Sequence, residues 1–410
     1  MPSLKENLIL IDNDVKSIRS IEKLLNLAVS AEAAEICFEP KADNFSVIFR
    51  AGSEIKNKIS LPKKSAAAIL GGLREMASGK NGSFKQEFPG YKIIFSLNVR
   101  PTTSGEQISI DLHQENFKLL EINRLGFSTH NLAAVKNILE KRKGLVLVLG
   151  DFNSGRTTTL YSFLNFINKP EFNLATLENH IAFDLPEINQ SRLDPISGYD
   201  SVAAFRSLRR QDVDAVMIGE IIDKETAASA MSLAQSGRFV LAGLHAHNLP
   251  AALSFFQDLS LAPSLFSESA SLAITQRLAV RNCPHCLKQQ RIGRDSLKKL
   301  SEKIALKKLL PSLKRDKIIS EKIKKPEDLI FYKSSGCQRC HNSGVVGKIG
   351  IFEVLEITPA VKNIIKTGHF SLLRQETEKQ GGHTLAEDAL IKSLSGLIPI
   401  DEVFRIIDKA

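Results

Sequence analysis

Apolar positions along this chain change their spacing more than once, and each change predicts a different kind of element. Residues from about 14 to 30, "DVKSIRSIEKLLNLAVS", carry apolar side chains at helical intervals with Asp14 near the start, so they read as an amphipathic helix. The runs "AEICFEP", "FSVIFRAG", "YKIIFSLNV" and "QISIDLH" then alternate apolar and polar positions between Gly, Asn and Pro turns. That period predicts strands, and with the helix a small α+β domain ending near Glu121. A linker, "EINRLGFSTHN", leads to a helix at about 131–142.

From Gly144 the strands become short and continuously apolar: "GLVLVLG", "LATLENH", "DAVMIGE" and "RFVLAGLH". Helical patterns follow Thr157, span about 200–211, and follow Lys224. Apolar strands alternating with helices predict a mostly parallel sheet covered on both faces. Ligands of such sheets bind beyond the carboxyl ends of the strands, where the loop at 150–157 falls. The chain closes with a helical tail, Ser371 to Ala410.

That loop, "GDFNSGRT", nearly fits GxxxxGK[ST], in which backbone N–H groups surround phosphates, lysine reaches the outer ones and a hydroxyl holds Mg²⁺. Gly150, Gly155 and Thr157 match; Arg156 stands in place of lysine. Arginine keeps the charge but is longer, planar and less compact. Asp151 puts a carboxylate in a loop built for anions, acceptable only if it turns away, whereas Asn153 tolerates a left-handed turn. Strand, glycine turn and helix start also occur together in α/β proteins that bind no nucleotide.

Composition narrows the class. Of a net charge of +10, the segment from Lys288 to Lys325 holds fourteen Lys/Arg against four Asp/Glu, and the rest is close to neutral. One basic segment, no Trp and no interleaved aromatics argue against a nucleic-acid partner. No run of about 18 apolar residues predicts a membrane span, and "MPSLKENLILIDND" does not fit a secretory signal, so the chain is expected in the cytosol. Four of five cysteines form two CxxC pairs, Cys283/Cys286 and Cys337/Cys340, the usual makings of a tetrahedral thiolate zinc site. Fifty residues separate the pairs, more than a short ribbon has, and a disulfide is the alternative, disfavoured in a reducing compartment. Cys37 reads as a buried small hydrophobe.

Taken in order, these motifs carry a resemblance. They are "GDFNSGRT", the acidic box "TLENHIAFDLPEINQ", "FRSLRRQDVDAVMIGEIIDKETA", "SGRFVLAGLHAHN", "ITQRLAVRNCPHC", "GCQRCHNSGVVGKIGIFEVLEI" and "HTLAEDALIKSLSGLIPIDEVFRII". From about residue 15 to 408 the chain resembles the ATPases that power type II secretion and type IV pilus assembly, the GspE/PilB family. The resemblance implies an α/β protein: a RecA-like P-loop NTPase domain with a mostly parallel sheet, preceded by a small α+β domain, with a tetracysteine zinc element and a helical C-terminal tail. The expected boundaries are 1–121 for the N-terminal domain, 122–143 for linker and helix, 144–282 for the ATPase core, 283–356 for the zinc element and 357–410 for the C-terminal subdomain. The implied cofactors are ATP, Mg²⁺ and a structural Zn²⁺ on the four cysteines. Glu220, Glu178 and His245 take catalytic roles; Gly150, Ser154, Gly155, Arg156, Thr157, Thr158, Arg206 and Arg210 bind the nucleotide. The implied assembly is a homo- or hetero-hexamer driving an inner-membrane platform protein, cytoplasmic and peripheral on the inner face of the membrane.

Departures from the family pattern gather at the chemistry. Besides Arg156, Asn179 and Ala182 replace acids, Arg238 replaces the first histidine of its box, and Ile222 replaces the arginine of "GEIRD". In the N-terminal domain Arg50 stays, but Ile48 and Asn98 stand where the family has arginines that close over the triphosphate. Two expectations follow: a nucleotide-coupled motor with attenuated turnover, or a catalytically inactive paralogue that scaffolds or regulates an active ring. In the basic segment Leu297, Leu300 and Ile304 share a helical face, which suits an anionic membrane, an acidic partner or a solvated hairpin capping the zinc element.

Overall fold

A computed structural model describes residues 18–408 except 32, 52–53, 78–81, 89–90, 116–119, 186 and 195–197. The chain divides into two compact units, the first through Phe117 and the second from Lys118 onward, with Ala182–Asp184 grouped in the first.

The first unit contains α1 (Ile18–Ser30), β1 (Glu35–Pro40), β2 (Asn44–Ala51), β3 (Glu54–Pro62), α2 (Lys63–Met76), β4 (Ser83–Phe88), β5 (Tyr91–Thr102) and β6 (Gly105–Glu115). The strands form one sheet in the order β3-β2-β1-β6-β5-β4, antiparallel throughout. Leu24, Leu25, Ile69 and Leu73 of the helices pack on Phe38, Phe49, Phe95 and Ile110 of one sheet face. The expected helix is described over Ile18–Ser30, and its residues 14–17 lie outside the described set. The alternation of β1 turns Glu35, Cys37 and Glu39 to the opposite face, so Cys37 is buried but sits among polar groups, with Gln107 Nε2 3.0 Å from its Sγ. Two strands and a helix were absent from the sequence reading. β3 and β4 are edge strands with few apolar residues, and α2, "KKSAAAILGGLREM", is rich in Ala and Gly.

The second unit runs through α3 (Thr129–Lys141), β7 (Leu145–Leu149), α4 (Arg156–Ile167), β8 (Leu174–Glu178), β9 (Asn189–Arg192), α5 (Ser201–Arg210), β10 (Ala215–Ile221), α6 (Lys224–Gln235), β11 (Phe239–Leu244), α7 (Leu249–Asp258), α8 (Pro263–Ser269) and β12 (Ala270–Asn282). It continues with β13 (Leu287–Gln290), α9 (Arg294–Lys303), α10 (Leu306–Arg315), β14 (Phe331–Ser334), β15 (Val345–Glu356), α11 (Pro359–Thr367), α12 (Leu373–Lys379), α13 (Leu385–Leu394) and α14 (Ile400–Ile407). Its sheet has the order β15-β12-β7-β11-β10-β8-β9, with every neighbouring pair parallel except β12 and β15. This is the mostly parallel α/β sheet that the apolar strands predicted. β7, β8 and β11 are buried at every position, as strands covered on both faces must be. Short acceptors start the covering helices: Asp200, Asp223 and Asn248 each take a backbone N–H of the first turn, at 2.8–2.9 Å.

A second apolar cluster joins the basic segment to the tail. Leu300, Ile304, Leu309 and Leu313 of the α9–α10 hairpin pack with Phe331, Leu390, Val403 and Ile406. Leu297, Leu300 and Ile304 are thus covered by this chain's own helices, and the lysines face outward. Among the described residues no helix is long and apolar enough to cross a membrane.

Candidate functional site

Four structural elements end at the carboxyl edge of the parallel sheet and bring the predicted residues together. The loop after β7 leads into α4; Glu178 ends β8; Glu220 lies near the end of β10; His245 follows β11. Between Ile218 and Ile221 the β10–β11 register slips, so Gly219 and Glu220 sit on an irregularity that re-aims the glutamate.

The loop is tightly specified. Asn153 has φ +58°, the left-handed conformation its short amide tolerates, and Gly155 has φ +89° at the helix start. A Cβ on Gly150 would lie 2.3 Å from Ser154 Oγ, and one on Gly155 2.8 Å from Gln276 Nε2. Neither position admits a side chain. Gln276, 2% exposed in β12, donates to Ser154 O at 2.8 Å and accepts from Thr159 Oγ1 at 2.8 Å, tying the loop to the first turn of α4. The sequence reading quoted "ITQRL" but assigned Gln276 and Arg277 nothing. A buried Gln–Arg pair inside an otherwise apolar strand was the available signal.

Arg156 does not point into free space. Its Nη2 lies 2.8 Å from Glu220 Oε1, an ion pair without hydrogen-bond geometry, while its Nη1 is buried without a partner, as is Ser154 Oγ. Two unpartnered buried donors beside a glycine-shaped cradle at a helix N-terminus fit a phosphate group. Thr157 is exposed and Thr158 half-buried in the same first turn. Phe152, 75% exposed, lays its ring over His245 at 4.4 Å between centroids. Asp151 pairs with Arg277, whose Nη2 lies 3.2 Å from its Oδ2.

Glu178 is 3% exposed, and the Tyr161 hydroxyl lies 2.9 and 2.8 Å from its two oxygens. Burial pushes its carboxyl up to about 7, against hydrogen bonds from Thr176, Tyr161 and Gln190 that favour the anion. Arg206 and Arg210 lie exposed on α5; with Arg209, Glu225 and Ser229 they line a groove of about 590 Å³. Among the described residues no hydrogen bond or ion pair joins them to the loop. Arg238 precedes β11 at the amino edge of the sheet, held by Gln211 O and Ser236 Oγ at 3.3 and 3.1 Å. Six residues of strand, about 20 Å, separate it from the loop's edge, so this departure is not at the chemistry.

The four cysteines converge elsewhere. Their sulfurs lie within 4.8 Å of one another: Cys283–Cys337 at 3.9 Å, Cys286–Cys340 at 4.0 Å and Cys337–Cys340 at 3.7 Å. A disulfide needs about 2.0 Å, and all four are free. Four thiolates about 2.3 Å from a tetrahedral zinc stand about 3.8 Å apart, so the set fits that ion. Burial works to push the Cys340 thiol up, but N–H groups of Cys337 and Gly344 and the neighbouring thiols bring it down to about 6. The wide sequence gap is closed by β13 and β14, whose pairing of Leu287 with Ser334 sets the two knuckles side by side.

Comparison with known proteins identifies the family. The family described as "Type II/IV secretion system protein" matches residues 12–405. The type IV pilus assembly ATPase PilB of Pseudomonas aeruginosa is 30% identical over 404 residues, 96% of this chain and 68% of its own. The type II secretion system ATPase E of Vibrio cholerae is 27% identical over 412 aligned positions, covering 98% and 77%. Among solved structures, the Legionella pneumophila ATPase DotB has a TM-score of 0.59 at 16% identity, covering 95% of each chain. The pilus retraction motor PilT with bound ADP has a TM-score of 0.56 at 17% identity, covering 94% and 96%. At those identities the two structures establish the fold alone. The sequence match runs through both units and nearly end to end, and on it this chain belongs to the type II/IV secretion system protein family.

Proposed function

We propose that this chain is a nucleotide-binding traffic ATPase of the secretion and pilus-assembly type whose turnover is attenuated because its catalytic glutamate is held by its own phosphate-loop arginine. The observation that carries the reading is the Arg156–Glu220 ion pair. A lysine at 156 would offer a compact charge to the outer phosphates and leave the glutamate to orient the attacking water. Here one arm of the guanidinium is engaged by Glu220, and the other, Nη1, is left for a phosphate oxygen. Ser154, Arg156, Thr157, Thr158 and the glycines are the residues to hold the phosphates. Thr157 is the hydroxyl to meet Mg²⁺, which when bound neutralises the outer phosphates. Arg206 and Arg210 are assigned to the nucleotide by resemblance only. Family membership supports the assembly proposed: a homo- or hetero-hexameric ring on the cytoplasmic side, peripheral to the membrane and working on a platform protein. Zn²⁺ on the four cysteines is structural, all four ligands coming from the protein.

The test compares nucleotide affinity and steady-state hydrolysis in the zinc-loaded protein, Arg156→Lys and Glu220→Gln. Wild type is expected to bind ATP and turn over slowly, Arg156→Lys to hydrolyse about 10²-fold faster, and Glu220→Gln to lose the activity. Binding with no gain in Arg156→Lys rejects the held glutamate.

A second reading, an inactive paralogue that scaffolds or regulates an active ring, has one observation in its favour. On the polar face of the first unit, Arg50 faces Glu39 at 3.8 Å and Asn98 donates to Asp111 at 2.9 Å. Burial and the Asp111 charge also push Glu35 up. At the two positions on that face where the family pattern has arginines stand Ile48, which is apolar and buried, and Asn98, whose amide is taken by Asp111. No nucleotide binding by any of the three proteins, in a chain that still joins a ring, selects this reading.

A further inference from the structure

Two cations lie at the loop, and each is held by a carboxylate of the same chain: Arg156 by Glu220 and Arg277 by Asp151. The second pair joins a variable position of the loop to a residue outside it. Arg277 is 8% exposed, with Nη1 donating to Gln276 O at 3.0 Å and Nη2 to His247 O at 3.2 Å. Those carbonyls orient the guanidinium without neutralising it. Burial pulls its pKa down and Arg405 adds a like charge, so Asp151 is the counter-charge that keeps it favourable. Asp151 is 44% exposed and sits at the second position of the loop, so it is the half of the pair able to leave for water. A buried arginine that loses its carboxylate requires another anion, and the anion this loop is shaped to receive is a phosphate.

We propose that Arg277 is a further anion-binding residue of the phosphate loop, and that Asp151 masks it and so sets the loop's affinity for polyphosphate ligands. The inference rests on reading residues 150–157 as a phosphate loop. A ligand gains Arg277 only by displacing Asp151 to solvent. The exchange is one carboxylate for one phosphate oxygen on the same guanidinium, with no net change in the number of buried ion pairs. Because Asp151 is next to Phe152, whose ring contacts the exposed His245, its departure also moves the segment that touches that histidine.

The experiment measures binding of inorganic tripolyphosphate and of MgADP by calorimetry to the full chain, Asp151→Asn, Arg277→Gln and the double variant. Asp151→Asn is expected to bind tripolyphosphate about tenfold more tightly at low salt. The gain should fade as salt is raised and be absent when Arg277 is Gln. If Arg277→Gln does not fold, Arg277→Lys in the Asp151→Asn background takes its place: it keeps the charge and loses the planar fork, so the gain should shrink if the guanidinium binds the ligand and stay whole if only repulsion was removed. Wild-type binding left unchanged or weakened by Asp151→Asn overturns the masking, as does a gain that persists without Arg277 or is indifferent to salt. Tripolyphosphate bound by none of the proteins, Arg156→Lys included, overturns the phosphate-loop reading and this inference with it.

Discussion

The phosphate loop and the tetracysteine element are joined by one strand, β12, whose Gln276 holds the loop and whose end leads into Cys283, and they depart from their motifs in opposite ways. Around the cysteines all four ligands are present, their sulfurs 3.7–4.0 Å apart along the measured edges, and only the intervening length is unusual. Around the loop the backbone is intact, with Gly150, Gly155 and the left-handed Asn153, while the charges are paired among themselves. A structural metal site depends on where four atoms stand, which the fold fixes; a hydrolytic site depends also on which charges are free, which single substitutions change. The difference teaches that preserved loop geometry is evidence for binding and says little about turnover.

The largest effect should come from breaking the half that is intact. Cys337→Ser is expected to lose the metal and lower the unfolding midpoint by roughly 10 °C, read by zinc content and calorimetry. An unchanged midpoint would show that the C-terminal apolar cluster alone holds the element. Next, Gln276→Ala leaves Ser154 O and Thr159 Oγ1 buried without their partner, at a cost of about 2–4 kcal/mol. Nucleotide affinity should fall in the refolded protein while zinc content stays the same. Third is pH. Burial holds the Glu178 carboxyl at about 7 in the folded chain, above the 4.5 of an exposed glutamate in the unfolded one. Its stabilising contribution is full below about pH 4.5 and is lost as pH rises to about 7, because the folded state alone keeps the proton in that window. Glu178→Gln should flatten that slope in urea titrations, by on the order of 3 kcal/mol across the window. The smallest effect belongs to Ile222→Arg, at a position 57% exposed beside Glu220. Stability should move by less than about 0.5 kcal/mol, so a change in turnover would isolate a lost catalytic charge.

Much of the fold could be read from periodicity because burial writes it plainly. β7, β10 and β11 are apolar runs since the sheet is covered on both sides, and their order placed the loop correctly. β12 escaped notice because "ASLAITQRLAVRN" mixes apolar residues with a glutamine and an arginine that turn inward to hold the loop. The site was legible as a set of residues and not as a set of pairings. Arg156 and Glu220 are 64 positions apart, and nothing in either motif says that one will neutralise the other. Arg238 shows the converse error: motif order placed it with the chemistry, but it begins a strand whose other end carries the site.

The pairing of β13 with β14 has a consequence for how such a chain can change length. The excursion between the knuckles leaves and returns at one hydrogen-bonded stem, Leu287 opposite Ser334, so residues can be added to it or removed without moving a sulfur. β12 allows no such freedom. A single deletion ahead of Gln276 would shift the pleat by one and exchange the faces of Gln276 and Arg277. Insertions and deletions in natural variants should therefore accumulate beyond the stem, while the strand joining the two sites keeps its length.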